Sequence, residues 1–133
     1  MTVRISRLLI DRITALAEET GDEVCGLLLG VTDHIHAIRP AANVASDPSR
    51  HFEIDPTVLI AAHREARRGG PAVIGHYHSH PSGIAEPSAT DAACAAPDGA
   101  LWIILGDGLV RCWRARGDGA GGVCFDEAPI RIE

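Results

Sequence analysis

The segment Ala72–Pro81 constrains the fold more than any other part of the sequence. It begins as an apolar run, carries a histidine at every second position from His76 to His80, and ends at a proline. Such a run is typical of a buried strand, and it must end at Pro81 because proline cannot donate a hydrogen bond to a sheet ladder. Side chains two residues apart on a strand point to the same face. We therefore predict a central strand over Ala72–Ser79 whose histidines share one face.

Hydrophobic periodicity and turn residues predict the other elements. Apolar residues at helical spacing indicate a helix that begins at Ser6, and Asp55-Pro56 indicates a second helix that stops at Gly69-Gly70. A short third helix begins near Ser88, and Gly106-Asp107-Gly108 is typical of a hairpin turn. The remaining predicted strands are Thr2–Ile5, Val24–Leu29, a strand through Ile35 and Ile38, His51–Ile54, Ala100–Leu105, Leu109–Ala115, Val123–Phe125 and Ile130–Ile132. Together they predict an α/β fold, a single domain over 1–133, with a mixed, mainly antiparallel sheet, two long helices and one short helix.

Composition argues against several classes of function. The chain has 133 residues and a formal net charge of −6, with no run rich in Lys and Arg. Binding of nucleic acid and of anionic lipid both rest on basic side chains, so we expect neither. No apolar stretch approaches the length of a membrane span, and the N-terminus does not resemble a signal peptide. We predict a cytoplasmic protein that binds neither nucleic acid nor membrane; its oligomeric state is not predictable from the sequence.

Several common zinc motifs are absent. The four cysteines form no C-x-x-C pair, so a zinc site built on cysteine is not expected. The chain also lacks the H-x-E…P-C-x-x-C signature of zinc deaminases and the H-E-x-x-H peptidase motif. In a reducing compartment we expect the cysteines to be small buried apolar side chains. They are Cys25, Cys94, Cys112 and Cys124.

Two histidines and one carboxylate predict a different metal site. His78 and His80 share a strand face, and the loop after them allows the chain to return so that Asp91 supplies a third ligand. Two His and one carboxylate, with a fourth position left to water, form the ligand set of a catalytic zinc site. A hydrolase also needs a proton acceptor, and a carboxylate that does not bind the metal is the usual choice. Glu23, directly before an apolar strand, is a candidate that spacing alone supports weakly. Ser88-Ala89-Thr90-Asp91 also fits the capping pattern at a helix start.

These residues carry a resemblance to a known family. His78-Ser79-His80-Pro81, then six residues, Ser88, two residues and Asp91 resemble the JAMM motif H-x-H-P-x6-S-x2-D. The upstream stretch that begins at Glu23 resembles the strand that carries the catalytic glutamate of the JAMM (MPN+) zinc metalloproteases, and the chain looks like a small bacterial-type stand-alone member.

The resemblance implies both a fold and an activity. The fold is an MPN-like, cytidine-deaminase-like domain. The ligands of one zinc ion per chain would be His78, His80 and Asp91. Glu23 would be the base, and Ser88 would stabilise the oxyanion. The implied activity is a peptidase or isopeptidase that cleaves after the C-terminal Gly-Gly of a ubiquitin-like or sulfur-carrier protein.

Other interpretations stay open at this point. An MPN-type domain can also be a non-catalytic protein-binding scaffold that retains zinc, although no motif position is lost here. The second H-x-H, His34-Ile35-His36, lacks the proline and the Ser-x-x-Asp that follow the first. We interpret its histidines as exposed polar side chains of a hairpin. His76 falls outside the motif and is expected to support the ligands or to lie in the core. His51 and His63 are expected at the surface.

Overall fold

The computed structural model describes residues 2–133, which form one eight-stranded sheet with helices on both faces. The strands are β1 (Val3–Ile5), β2 (Cys25–Val31), β3 (His34–Ala41), β4 (Ala72–His80), β5 (Leu101–Gly106), β6 (Leu109–Gly117), β7 (Val123–Ala128) and β8 (Ile130–Ile132). The helices are α1 (Arg7–Glu18), α2 (Pro56–Arg67) and α3 (Ala89–Cys94). The strand order is β7-β6-β5-β4-β2-β3-β1-β8. Four neighbouring pairs are antiparallel and three are parallel. This confirms the predicted α/β class with its mixed, mainly antiparallel sheet; the single domain over 1–133 stays a prediction.

The two edges of the sheet meet at Pro129. Strands β7 and β8 stand at opposite ends of the strand order, yet Pro129 is the only residue between them. The sheet must therefore curl until its edges are neighbours, and the Val3 N–H donates to the Pro129 carbonyl at 2.8 Å. Helix α1 packs inside this curl. Its Ile10 and Ile13 join the largest apolar cluster, to which strands β1 to β7 all contribute.

The opposite face of the sheet carries the histidines of β4. His76 stands opposite Leu27 of β2 and Trp102 of β5 in the strand register. Leu27 belongs to a cluster closed by α2, and Trp102 belongs to a second cluster on the other side of β4. The histidines therefore face away from α1, on the strand that lies between these two clusters.

Side-chain caps start all three helices. Ser6 accepts from the Leu9 N–H, and Asp55 accepts from the Thr57 N–H with Pro56 in the first turn, as predicted. Ser88 caps α3 through a reciprocal capping box, so the capping interpretation of that motif is confirmed. The β5–β6 connection is a two-residue turn with positive φ at Asp107 and at Gly108, the conformation that twisted hairpins favour.

Two local predictions are wrong. The stretch His51–Ile54 is not a strand; it forms only an isolated bridge between Ile54 and Asn43. Cys94 is exposed and Cys124 is half-buried, whereas Cys25 and Cys112 are buried as expected. Cys94 is the last residue of the short helix α3, in which Asp91 is the buried residue. No helix within residues 2–133 has the length and apolar character needed to cross a membrane.

Gly106 allows the loop between β4 and α3 to pack on the end of β5. A Cβ at this position would lie 2.5 Å from the Ile84 carbonyl carbon and 2.7 Å from the Ala85 nitrogen. We expect Gly106→Ala to lower the free energy of unfolding by about 1–3 kcal/mol, because backbone atoms must move to admit the methyl group. Urea unfolding measures this change.

The matched control is Gly21→Ala. A Cβ there meets nothing within 4 Å, so its effect should stay within about 0.5 kcal/mol. Equal stability of the two variants would contradict the close packing of the loop on β5.

Candidate metal centre

Three side chains place one donor atom each at the corners of a small triangle. The Nε2 atoms of His78 and His80 are 3.1 Å apart, and each lies 3.2 Å from Oδ2 of Asp91. Zinc bonds at tetrahedral angles separate neighbouring ligand atoms by roughly 3.3–3.6 Å, given the usual bond lengths. Strand β4 and helix α3 thus bring the three predicted ligands together at a spacing that suits one zinc ion.

The hydrogen-bonding roles of these atoms favour a cation inside the triangle. His80 Nδ1 lies 2.8 Å from the Ile84 carbonyl, so Nδ1 carries a hydrogen and Nε2 of the neutral ring offers only a lone pair. That lone pair faces the Asp91 carboxylate, and two acceptors at 3.2 Å repel each other unless a proton or metal ion lies between them. The hydrogen bond to Asp91 raises the pKa of His80, so a proton can fill this role without metal. Two imidazoles and a carboxylate also suit zinc.

The capping box of α3 orients the Asp91 carboxylate. Oδ2 accepts from the Ser88 N–H at 2.9 Å, and the Ser88 hydroxyl oxygen accepts from the Asp91 N–H at 3.0 Å. Burial opposes ionisation of Asp91, but hydrogen bonds from His78 and His80 outweigh it and hold its pKa well below the usual range. The carboxylate is therefore charged and fixed in direction, as a metal ligand requires.

Aromatic packing orients the His78 ring. The ring is fully buried and stacks on Phe52 at a centroid distance of 4.2 Å, with the edge of Trp102 at 5.8 Å. Its Nδ1 has no hydrogen-bond partner among residues 2–133. Burial lowers the pKa of His78; a neutral imidazole can offer a lone pair to a metal ion once Nε2 carries no hydrogen.

Glu23 lies beside the triangle. One of its carboxylate oxygens and the ring nitrogens of His78 and His80 all lie within 4.8 Å of one another. Only 6% of Glu23 is exposed. Burial raises the pKa of Glu23 to about 7, although the charge of His80 acts in the opposite direction and lowers it. A carboxylate poised near neutral pH next to a ligand set, as this one is, has the properties of a general base.

Arg50 lines two of the cavities that adjoin the triangle. The larger, of about 370 Å³, is walled by Phe52, His76 and Trp102 and reaches Asp91. The smaller, of about 300 Å³, is lined by residues of the predicted catalytic set and of the loop after β4. These residues are Glu23, His80, Gly83, Ile84, Glu86, Pro87 and Ser88. The smaller cavity is therefore the one from which a substrate would meet all the predicted catalytic groups.

The histidines outside the motif lie where their patterns indicate, except His34, which is half-buried and lies 3.7 Å from the Glu133 carboxylate. His76 packs its ring against Trp102 at 4.3 Å and stacks on His78 at 5.4 Å. Burial lowers its pKa to about 3, so this ring supports the site as a neutral group. His34 and His36 lie on β3 with their rings 4.1 Å apart, and neither belongs to the triangle. His51 and His63 are exposed.

Sequence reasoning missed two residues that contact the site. Phe52 stacks on His78, and the Asn43 side chain donates to the carbonyl of Glu23 at 2.9 Å. Both belong to a polar, turn-rich stretch without periodicity, and Phe52 fell in the wrongly predicted strand. Phe52 is one of only two phenylalanines in the chain, the one signal that could have singled it out.

Known proteins are similar to this chain in sequence, and solved structures are similar to it in fold. A desampylase of Haloferax volcanii is 35% identical over 114 residues, which cover 84% of this chain and 78% of that protein. A probable TtuB-protein conjugate cleaving protease of Thermus thermophilus is 32% identical over 92 residues, or 68% of this chain and 62% of that protein. The solution structure of a protein from Desulfitobacterium hafniense is 26% identical with a TM-score of 0.82, covering 100% of this chain and 93% of that one.

A family model supports the same relationship. The model of prokaryotic homologues of the JAB domain matches residues 6–116, which include every residue of the predicted site. The match covers most of the chain and confirms the resemblance that the H-x-H-P-x6-S-x2-D motif indicated. The chain belongs to the family of prokaryotic JAB-domain homologues.

Proposed function

We propose that this protein is a zinc-dependent peptidase or isopeptidase. Its substrate would be a ubiquitin-like or sulfur-carrier protein, cut at the peptide-like bond after the C-terminal Gly-Gly. The observation that carries the proposal is the triangle of His78, His80 and Asp91 with the buried Glu23 carboxylate beside it. Family membership and the names of two relatives, a desampylase and a probable TtuB-protein conjugate cleaving protease, support the class of substrate.

Each residue of the site has one role in the proposed reaction. His78, His80 and Asp91 hold the zinc ion. When bound, zinc with three protein ligands supplies Lewis acidity and lowers the pKa of water to roughly 7. Glu23 accepts the proton of the attacking water and passes it to the leaving amine. The Ser88 hydroxyl oxygen already accepts from the Asp91 N–H, so its hydrogen stays available for the oxyanion that develops on the scissile carbonyl.

The shape of the site favours a glycine tail. The smaller cavity is bordered by residues of the loop after β4, and an extended chain that enters it must pass close to these walls. Glycine suits such a path because it has no Cβ to clash. Only eight residues separate β4 from α3, which leaves no room there for a domain that grips a second folded protein. We therefore propose a small leaving group, such as an amino acid or a short tail, released in the cytoplasm.

The ligand assignment predicts the zinc content. Protein purified without chelator should contain about one zinc per chain. His80→Ala and Asp91→Ala should each lose most of it, because two ligands bind zinc far more weakly than three. The control is His36→Ala in the second H-x-H, which should keep its zinc. Elemental analysis of folded protein measures the content, and full zinc in both ligand variants would refute the assignment.

The assignment of Glu23 as base predicts a separation of binding from turnover. Glu23→Gln keeps the size of the side chain and removes no ligand, so zinc should stay. The turnover number should fall by about 10²–10⁴, the usual contribution of a general base. Glu19→Gln, at an exposed glutamate, should cleave at the wild-type rate. Near-normal turnover of Glu23→Gln would rule out the proposed role.

The substrate class is tested with matched substrates. One is a ubiquitin-like protein extended by a few residues beyond Gly-Gly, and the other carries Ala-Val before the same extension. Mass spectrometry should detect release from the first alone, and chelator should abolish it. Equal cleavage of both, or cleavage that survives chelation, would refute the proposal. Bound zinc without cleavage would favour a binding scaffold instead.

A further inference from the structure

We propose that Asn43 is a positioning residue for Glu23. Its side-chain amide joins loop 44–52 to the backbone of Glu23, and this one junction fixes Glu23 and the Phe52 ring relative to the metal-ligand triangle. The catalytic consequence rests on the proposed role of Glu23 as base. The junction itself rests on the hydrogen bonds of Asn43.

The Asn43 side chain uses both of its polar ends. Nδ2 donates to the carbonyls of Glu23 and His51 at 2.9 Å each, and the Pro48 carbonyl oxygen lies at 3.4 Å. Oδ1 accepts from the Ala45 N–H at 3.0 Å and from the Glu53 N–H at 3.1 Å. One side chain therefore ties the two ends of loop 44–52 to each other and to the residue that carries the predicted base.

The loop, and not the sheet ladder, holds the backbone of Glu23. The Glu23 N–H donates to the Pro48 carbonyl at 2.8 Å, and the Glu23 carbonyl accepts from Asn43. Contact with β4 starts one residue later, where the Val24 N–H donates to the Ser79 hydroxyl at 2.9 Å. Both backbone polar groups of Glu23 are thus bonded to Asn43 and the loop that it closes. Displacement of the loop must displace the carboxylate.

The same loop presents Phe52 to a predicted metal ligand. On one side of Phe52, the His51 carbonyl accepts from the Asn43 side-chain amide. On the other side, the Glu53 carbonyl accepts from the Val44 N–H at 2.9 Å. Between these anchors the Phe52 ring stacks on His78. Because His78 Nδ1 has no hydrogen-bond partner among the described residues, this stacking is a principal restraint on the ring.

Asparagine is suited to this place by its chemistry. It offers two N–H donors on one atom and an acceptor on the other, and here both ends are used. An aspartate in its place would keep the shape and the acceptor but lose both donors, and its negative charge would face the carbonyls that Asn43 now binds. The substitution Asn43→Asp therefore removes the bonds to the Glu23 and His51 carbonyls with the smallest change in volume.

The first test measures kinetics with the Gly-Gly substrate. Asn43→Asp should lower kcat by about 10–10²-fold, the cost of a displacement of about 1 Å at a reacting group. KM should change by less than about threefold and zinc should remain bound, because no substrate contact or ligand is removed. Ser49→Ala is the control in the same loop: among residues 2–133 its hydroxyl bonds only Asp47, and its kcat should match wild type.

A double-mutant cycle separates positioning from general damage. If Asn43 acts through Glu23, Asn43→Asp should cost little further in a Glu23→Gln background, since the base is already gone. A structural defect unrelated to Glu23 would lower kcat by the same factor in both backgrounds. Equal factors would overturn the proposal.

Hydrogen exchange tests the junction without turnover. In Asn43→Asp the Glu23 amide should exchange about tenfold faster or more, because its bond to Pro48 depends on the closed loop, while amides of β5 keep their wild-type rates. Unchanged exchange at Glu23 would refute the junction. If the wild-type protein cleaves nothing, the proposed function fails and the exchange result still decides the junction. Should Asn43→Asp not fold, Asn43→Ser, which keeps one donor and adds no charge, takes its place.

Discussion

The pairing of β4 between β2 and β5 is the constraint on which the site depends. The register sets His78 opposite Cys25 and Ile104, which fixes the height of this predicted ligand along the strand and the face on which it projects. A slip of one residue would turn both ligand histidines towards the α1 core. Apolar side chains on both faces of the sheet hold the register, so the energy that builds the core also positions the predicted metal ligands.

The ligand triangle brings together groups that repel one another when nothing lies between them. The Nε2 atoms of two imidazoles and one carboxylate oxygen converge at 3.1–3.2 Å. Contacts on the far side of each group hold it in place. The Ile84 carbonyl bonds the His80 ring, Phe52 stacks on His78, and the capping box of α3 orients Asp91. Groups fixed in this way would need little reorganisation to bind a cation, which suits the proposed metal site.

The supporting residues come from three separate parts of the chain. The glutamate lies before β2, the histidines on β4, and the stacking phenylalanine in the loop between β3 and α2. The sheet places the histidines through its ladder, whereas the backbone of the glutamate is bonded to the loop and to Asn43. The loop has no ladder, and a single asparagine takes over that task. Rigidity at the site therefore has two sources, backbone pairing within the sheet and a side-chain amide outside it.

The sequence by itself determined the features that depend on neighbouring residues. These are the periodicity of the helices, their caps, the Asp107-Gly108 turn, the shared face of His78 and His80, and the spacing that lets α3 return Asp91. Tertiary structure alone decided the rest. The meeting of the edges at Pro129 depends on how all eight strands twist together. The placement of Phe52 and Glu23 depends on hydrogen bonds from Asn43 to residues up to twenty positions away. No local pattern encodes such contacts, because a polar loop takes its conformation from the partners that the folded chain brings to it.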